Sequence, residues 1–257
     1  MRHTLGRFVA VLAGLALLAG APAAAGAARA SALAGAGVSA AAAAAPNATW
    51  WRPRLGYKFQ YTLKFPFDMA KHVKPGVQVY LIDGFDNTAE TVAAMHGAGL
   101  LPVCYFSAGS YEDWRTDKGE FNASDYMNAL SGWDGEYWID VRSANVKRIM
   151  RARMEMCKAK GFVAVDPDNV DGYSNKNGIG FGAADQLAYN KWLAATAHEL
   201  GLGAGLKNDL GQIDDLVADF DFFVNEQCQD YDECQLYLPA KTGAARGPPF
   251  PGSRGIN

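Results

Sequence analysis

The chain reads as an α/β protein of the TIM-like (β/α)8-barrel class. From residue 50 onward, seven short apolar runs alternate with stretches of helical period, and repeated βα units imply a parallel sheet. Polar residues recur just past the C-terminal ends of those runs, where such a barrel gathers its reactive groups. The rival fold is an open doubly wound sheet, but no Gly-x-Gly-x-x-Gly follows an early strand.

Residues 1–25 stand outside this pattern. Arg2, His3 and Arg7 precede an apolar run over 8–20 that is too short for a comfortable membrane span. Ala21-Pro22-Ala23 then has the small-residue pattern of a processing site, so this is a secretory signal peptide, with an uncleaved anchor as the alternative. Residues 26–45 are Ala/Gly/Ser-rich and read as a low-complexity linker. Residues 46–257 hold the barrel domain.

Within it, strands are expected over 59–65, 77–82, 101–106, 137–141, 162–165, 203–206 and 221–224, each a short apolar or β-branched run. Helices are expected over 88–98, 145–160 and 183–200. The second carries Val146, Ile149, Met150, Arg153 and Met154 at helical spacing, and the third Leu187, Trp192, Leu193 and Ala197. Gly161 and Gly201 fall just past helix ends, where a left-handed cap is expected. The eighth strand is missing or degenerate. After Pro239 the chain is Gly/Pro/Arg-rich, which makes 240–257 an atypical tail without a strand pattern. A missing strand would leave open edges on the first and seventh.

The formal net charge of -3 gives no basic footprint for nucleic acid and weakly suits a neutral or cationic ligand. Export permits disulfides, and four cysteines, Cys104, Cys157, Cys228 and Cys234, allow three connectivities. Cys228 and Cys234 are near enough to close a small loop, which would leave Cys104 and Cys157 to pair across the fold. The C-x5-C spacing of Cys228 and Cys234 is poor for zinc and no His lies nearby, so neither metal nor cofactor is expected. Asn47 and Asn122 stand in Asn-x-Ser/Thr sequons, which matter only in a glycosylating host.

The strand-end residues are Asp83, Tyr105, Asp140, Asp166 with Asp168, Lys207 with Asn208, and Asn225 with Glu226. One such residue is an ordinary turn or cap; six at equivalent positions are hard to assign to turns. The densest group is Val165-Asp166-Pro167-Asp168-Asn169-Val170-Asp171, with three carboxylates inside six residues. Carboxylates from several strands, with aromatics Tyr105, Trp114, Trp133, Trp138 and Tyr173 to stack on sugar faces, point to glycoside hydrolysis, which needs two carboxyl groups flanking the scissile bond. For each tryptophan, plain core or rim packing is an equal alternative. A serine or cysteine hydrolase is poorly supported, since the chain has no Gly-x-Ser-x-Gly elbow. His198, on a helix, reads as a packing or surface residue, and His72 and His96 have no evident catalytic partner.

Several words in fixed order make the chain recognisable: Trp51-Arg52-Pro53, Cys104-Tyr105-Phe106-Ser107-Ala108-Gly109-Ser110, Gly135-Glu136 with Trp138 and Asp140, Pro167-Asp168-Asn169-Val170-Asp171-Gly172-Tyr173, Gly205-Leu206-Lys207-Asn208, and Val224-Asn225-Glu226-Gln227-Cys228. Over roughly residues 50–238 it resembles the glycoside hydrolase family 114 endo-α-1,4-polygalactosaminidases. The resemblance implies a secreted, monomeric barrel enzyme with no membrane span once the signal is removed, acting internally on an α-1,4-linked galactosamine or N-acetylgalactosamine polysaccharide. It implies Asp168 and Glu226 as the catalytic pair, with Asp83, Tyr105, Asp140, Asp166, Asp171 and Lys207 lining the sugar site. Family members usually carry Glu at the position of Asp166, which favours a supporting role there. They also carry a final Val-Glu-Tyr-like strand that the tail after Pro239 lacks. A non-catalytic polysaccharide-binding barrel, inactivated by C-terminal truncation of the same scaffold, is the alternative.

Overall fold

The computed structural model describes residues 49–237. The expected signal peptide, the linker and the atypical tail over 240–257 lie outside the described residues. No helix among the described residues is long and apolar enough to cross a membrane.

Nine strands form among the described residues: β1 Phe59–Thr62, β2 Val79–Asp83, β3 Leu101–Ser107, β4 Ser110–Glu112, β5 Tyr126–Ala129, β6 Glu136–Ile139, β7 Ala164–Asp168, β8 Gly203–Lys207 and β9 Phe222–Val224. Six of them make one all-parallel sheet in the order β1-β2-β3-β7-β8-β9. Five α-helices accompany them within the described residues: α1 Met69–His72, α2 Ala89–Gly97, α3 Ala144–Lys160, α4 Ala183–Glu199 and α5 Ile213–Leu216. The three long helices fall where the sequence pattern puts them. Ser143 caps α3 by accepting from the Val146 amide, and Gly161 closes it at φ 93°, a left-handed conformation that favours glycine.

The expected strand over 137–141 is not a barrel strand. As β6 it pairs antiparallel with β4 and β5 in a separate three-stranded sheet inserted between β3 and α3. An apolar run ending in Asp has the same local signature in either setting; its partners decide, and these lie in the insertion. The first strand is also shorter than expected, ending at Thr62.

The parallel sheet is strongly curled, an incomplete TIM-like barrel. Tyr61 Oη on β1 donates to Asp166 Oδ2 on β7, although these strands stand three places apart in the sheet. At about 4.8 Å per strand spacing, a flat sheet would separate them by roughly 14 Å. Phe59 on β1 and Val224 on β9, the two edge strands, line one small internal cavity.

Side chains alternate across this curved sheet with period two. Tyr80, Ile82, Cys104, Phe106, Val165, Ala204 and Leu206 point outward into the core shared with the helices. Val79, Leu81, Val103, Ala164, Phe222 and Val224 fill the inside. Gly205 is required there, because a Cβ would sit 2.4 Å from the Phe222 ring. Continuing the inward series along each strand brings Asp83, Tyr105, Asp166, Asp168 and Lys207 to the C-terminal rim.

The buried stripe of α4 differs from the expected one. Gln186, Tyr189, Asn190, Leu193 and Ala197 are buried, whereas Leu187 and Trp192 are only partly so. Asn190 is drawn inward because its amide donates to Val170 O and Asp209 Oδ2, each at 2.9 Å.

Both disulfides form. Cys104–Cys157 joins β3 to α3 across 53 residues, worth on the order of 4 kcal/mol in the chain-entropy model. Cys228–Cys234 closes a small loop after β9. His198 packs as anticipated, stacked on Trp50 at 4.0 Å and bonded to Asp221.

Candidate active site

A cleft of about 680 Å³ opens over the C-terminal rim of the parallel sheet. Tyr105, Asp168, Asp171, Lys207 and Glu226 line it together, so five of the expected site residues converge. Lys207 is at the centre. Its Nζ lies 2.9 Å from Asp168 Oδ1 and 3.1 Å from Glu226 Oε1, which bounds the separation of those two oxygens at 6.0 Å. Burial by itself would lower the Lys207 ammonium; the charges of Asp168, Asp166 and Glu226 outweigh it and hold Lys207 above its ordinary range.

Asp168 is fixed from three sides. Tyr105 Oη donates to Oδ2 at 2.7 Å, and Lys207 and the Asn169 amide donate to Oδ1 at 2.9 and 2.8 Å. Its backbone is held as well, since the Ala108 and Gly109 amides both donate to Asp168 O. Gly109 cannot be replaced there: a Cβ would lie 1.6 Å from Asn169 O. Asn169 itself adopts φ 60°, turning the chain sharply after Asp168. Glu226 is different in kind, with its side chain 63% exposed on the loop after β9.

Asp83, Asp140 and Asp166 stand apart from the cleft lining. Asp83 is buried and forked by Arg115, at 3.0 and 2.7 Å. Arg115 also reaches Glu112, while Arg153 reaches Asp117, and Phe85 lies between the two guanidiniums at 4.7 and 5.1 Å. This buried network clamps the β3–β4 region onto the barrel. Asp140 is engaged by Arg142, whose guanidinium holds the carboxyl below its usual range. Asp166 is fully buried under Lys207 and pushed up to about 7 by burial. Tyr61 donates to one of its oxygens, and the other has no partner.

Of the aromatic candidates, Tyr105, Trp133 and Trp138 line the cleft. Trp114 is 51% exposed elsewhere, and the hydroxyl of Tyr173 is turned toward Asp209. Glu136 was assigned no role by sequence reasoning, yet it lines the cleft. The signal was present: Glu136 and Trp138 are two apart on β6 and share a face, opposite Tyr137, which packs with Tyr111 and Tyr126. Asp209 was also missed. It sits buried at φ 47° beside Asn208 at φ 52°, and burial pushes it up to about 7, with Asp171 adding to the effect. Consecutive left-handed non-glycine residues at a cleft rim are a strained arrangement.

The chain matches known proteins in two ways. The model of glycoside-hydrolase family GH114 matches residues 39–245. Ega3 of Aspergillus fumigatus, solved in complex with galactosamine, is 40% identical, with 76% of each chain covered and a TM-score of 0.73. The glycoside hydrolase domain of PelA from Pseudomonas aeruginosa shares the fold at 11% identity, covering 74% of this chain and 81% of that one, with a TM-score of 0.57. Among curated proteins none matches. With the family model spanning most of its length and a rim that presents paired carboxylates, the chain belongs to glycoside hydrolase family GH114 and is a glycosidase.

Proposed function

We propose that the protein is a secreted, monomeric, endo-acting hydrolase of α-1,4-linked galactosamine and N-acetylgalactosamine polysaccharide, working through Asp168 and Glu226. The observation that carries this reading is the ammonium of Lys207 set between those two carboxylates. The bound of 6.0 Å on the flanking oxygens favours the spacing of retaining enzymes, about 5–5.5 Å, over the roughly 6.5–9.5 Å that leaves room for a water in inverting ones.

Environment divides the roles. Asp168 is oriented by three hydrogen bonds and held at a rigid strand end, as a nucleophile requires. Its oxygen attacks the anomeric carbon while the glycosidic oxygen departs with a proton from Glu226. Glu226, exposed on a loop, then takes a proton from the water that releases the sugar from Asp168. Asp171 and Tyr105 contact the sugar, Trp133 and Trp138 stack on it, and Asp166 and Asp83 support the rim from outside the lining, whereas Asp140 is engaged by Arg142. The substrate class is supported by the likeness to Ega3, whose structure holds galactosamine. Secretion is supported by the leader composition and two disulfides. The non-catalytic alternative rested on the tail beyond the described residues, and the intact carboxylate pair favours the enzyme.

The test is oligomer release from a galactosamine polymer. Asp168→Asn and Glu226→Gln should each cut turnover by about 10²–10⁴-fold while leaving the melting temperature near that of the parent. The first-formed reducing end, followed by NMR, should be the α anomer. Near-normal turnover in either variant would remove that residue from the mechanism, and a β anomer would overturn the double displacement.

A further inference from the structure

Glu136 stands in an unusual position for a carboxylate. It is 7% exposed and lines the cleft, yet no Lys, Arg or His among the described residues forms an ion pair with it. Its cross-strand neighbour on β4 is Glu112, a like charge directly opposite in register. Glu112 is served by Arg115 at 2.8 Å and Arg153 at 3.5 Å. Glu136 has only the Ser110 hydroxyl, which donates to Oε2 at 2.8 Å; the other oxygen accepts no hydrogen bond among the described residues. A buried carboxylate without a cation is costly unless a cation arrives.

The cleft is built to receive one. Asp168, Asp171, Glu136 and Glu226 line it against Lys176 and Lys207, and Lys207 is already shared by Asp168 and Glu226. Trp133 and Trp138 flank the same wall, offering faces for a sugar ring or its ammonium.

We infer that Glu136 is a specificity-determining residue that pairs with the 2-ammonium group of a galactosamine unit in the cleft, and so discriminates free-amine units from N-acetylated ones. The inference rests on the galactosamine-polymer reading above and assigns it a selectivity. An acetamide offers a neutral N–H and more bulk at that position, and leaves the carboxylate unpaired. Burial, with Glu112 and Asp168 adding to it and Ser110 and Arg115 opposing it, pushes Glu136 up to about 7. An arriving ammonium favours the anion, so binding near neutral pH releases a proton.

The experiment uses an Asp168→Asn background, so that the ligand survives, and calorimetry in buffers of different ionisation enthalpy. The probes are an α-1,4-linked galactosamine tetramer and its fully N-acetylated counterpart. Adding Glu136→Gln, which keeps an acceptor for Ser110, should weaken binding of the amine tetramer about tenfold. It should change the acetylated one less than twofold and reduce the proton release. Equal weakening of both tetramers, or proton release as large as with Glu136 in place, overturns the role of Glu136. Parallel assays of the parent enzyme separate the two readings. No cleavage of polymer, with Glu136-dependent binding intact, sinks the hydrolase proposal alone. Cleavage with an unchanged amine preference in Glu136→Gln sinks the Glu136 proposal alone.

Discussion

Asp221 and Asp166 are buried carboxylates at opposite ends of the same curled sheet, and they are provided for differently. Asp221, at the N-terminal end of β9, has both oxygens doubly engaged. Oδ1 meets Trp50 Nε1 at 3.1 Å and Arg52 Nε at 2.9 Å; Oδ2 meets His198 Nε2 at 2.8 Å and the Ala204 amide at 2.9 Å. Asp166, toward the C-terminal rim, has one oxygen served by Tyr61 and one by nothing. The first arrangement ties the segment before β1 to β8 and β9 and is structural. The second leaves a carboxyl under-satisfied directly beneath the lysine that bridges Asp168 and Glu226, the proposed catalytic pair. Full satisfaction marks the end of the barrel that only has to fold, and tolerated strain marks the end that has to react.

Removing the cation from the rim should break this comparison most severely. Lys207→Met leaves Asp166, Asp168 and Glu226 without the charge they share. Leaving buried charge unpaired costs about 3–5 kcal/mol. Expressed in the transition state, that corresponds to a fall in kcat/KM of about 10²–10⁴-fold. Steady-state kinetics on a galactosamine polymer, beside a thermal melt, measure it. A loss under tenfold would mean that Lys207 bridges the pair without organising it.

At the other end the expected effect is on stability alone. Asp221→Ala takes one partner from each of His198, Arg52, Trp50 and the Ala204 amide at once, and should cost about 3 kcal/mol, or roughly 6–12 °C in melting temperature for a domain of this size. Below the melt, kcat should stay within about twofold of the parent. A drop in kcat with unchanged stability would contradict a purely structural role.

The legibility of the two ends in sequence follows the same division. The rim could be read because period-two alternation carries a strand's inward series directly to its last residue, so Tyr105, Asp168 and Lys207 follow from the runs that precede them. Glu226 came from the resemblance and from lying just past an apolar run. The inserted sheet was not legible, because Tyr137-Trp138-Ile139-Asp140 ends in the same way as a barrel strand and only its pairing with Ser110 and Glu112 reveals the difference. Misplacing β6 hid Glu136 as a cleft residue and made Asp140 look like a rim residue. Asp83 was read correctly as a strand-end carboxylate, but its fork with Arg115 depends on a loop fold that no local pattern encodes. Asp221 carried no signal, since its four partners come from three distant segments.

The gentlest test of the comparison titrates the rim. Asp166, Glu136 and Asp209 are each pushed up to about 7, chiefly by burial. A carboxyl whose folded pKa is raised binds its proton more tightly in the native state than in the unfolded one. Between the ordinary carboxyl range near 4 and about 7 the native state therefore holds more protons, and unfolding free energy falls as pH rises through that window. Asp166→Asn removes one such group while keeping an acceptor for Tyr61. Its melting temperature relative to the parent should climb from pH 5 to pH 8, by an amount corresponding to about 2 kcal/mol. Melts at matched ionic strength across that range measure it. A difference that stays flat would mean that Asp166 is ionised throughout, with the Lys207 charge fully offsetting its burial. The rim would then be as well provided for as the base.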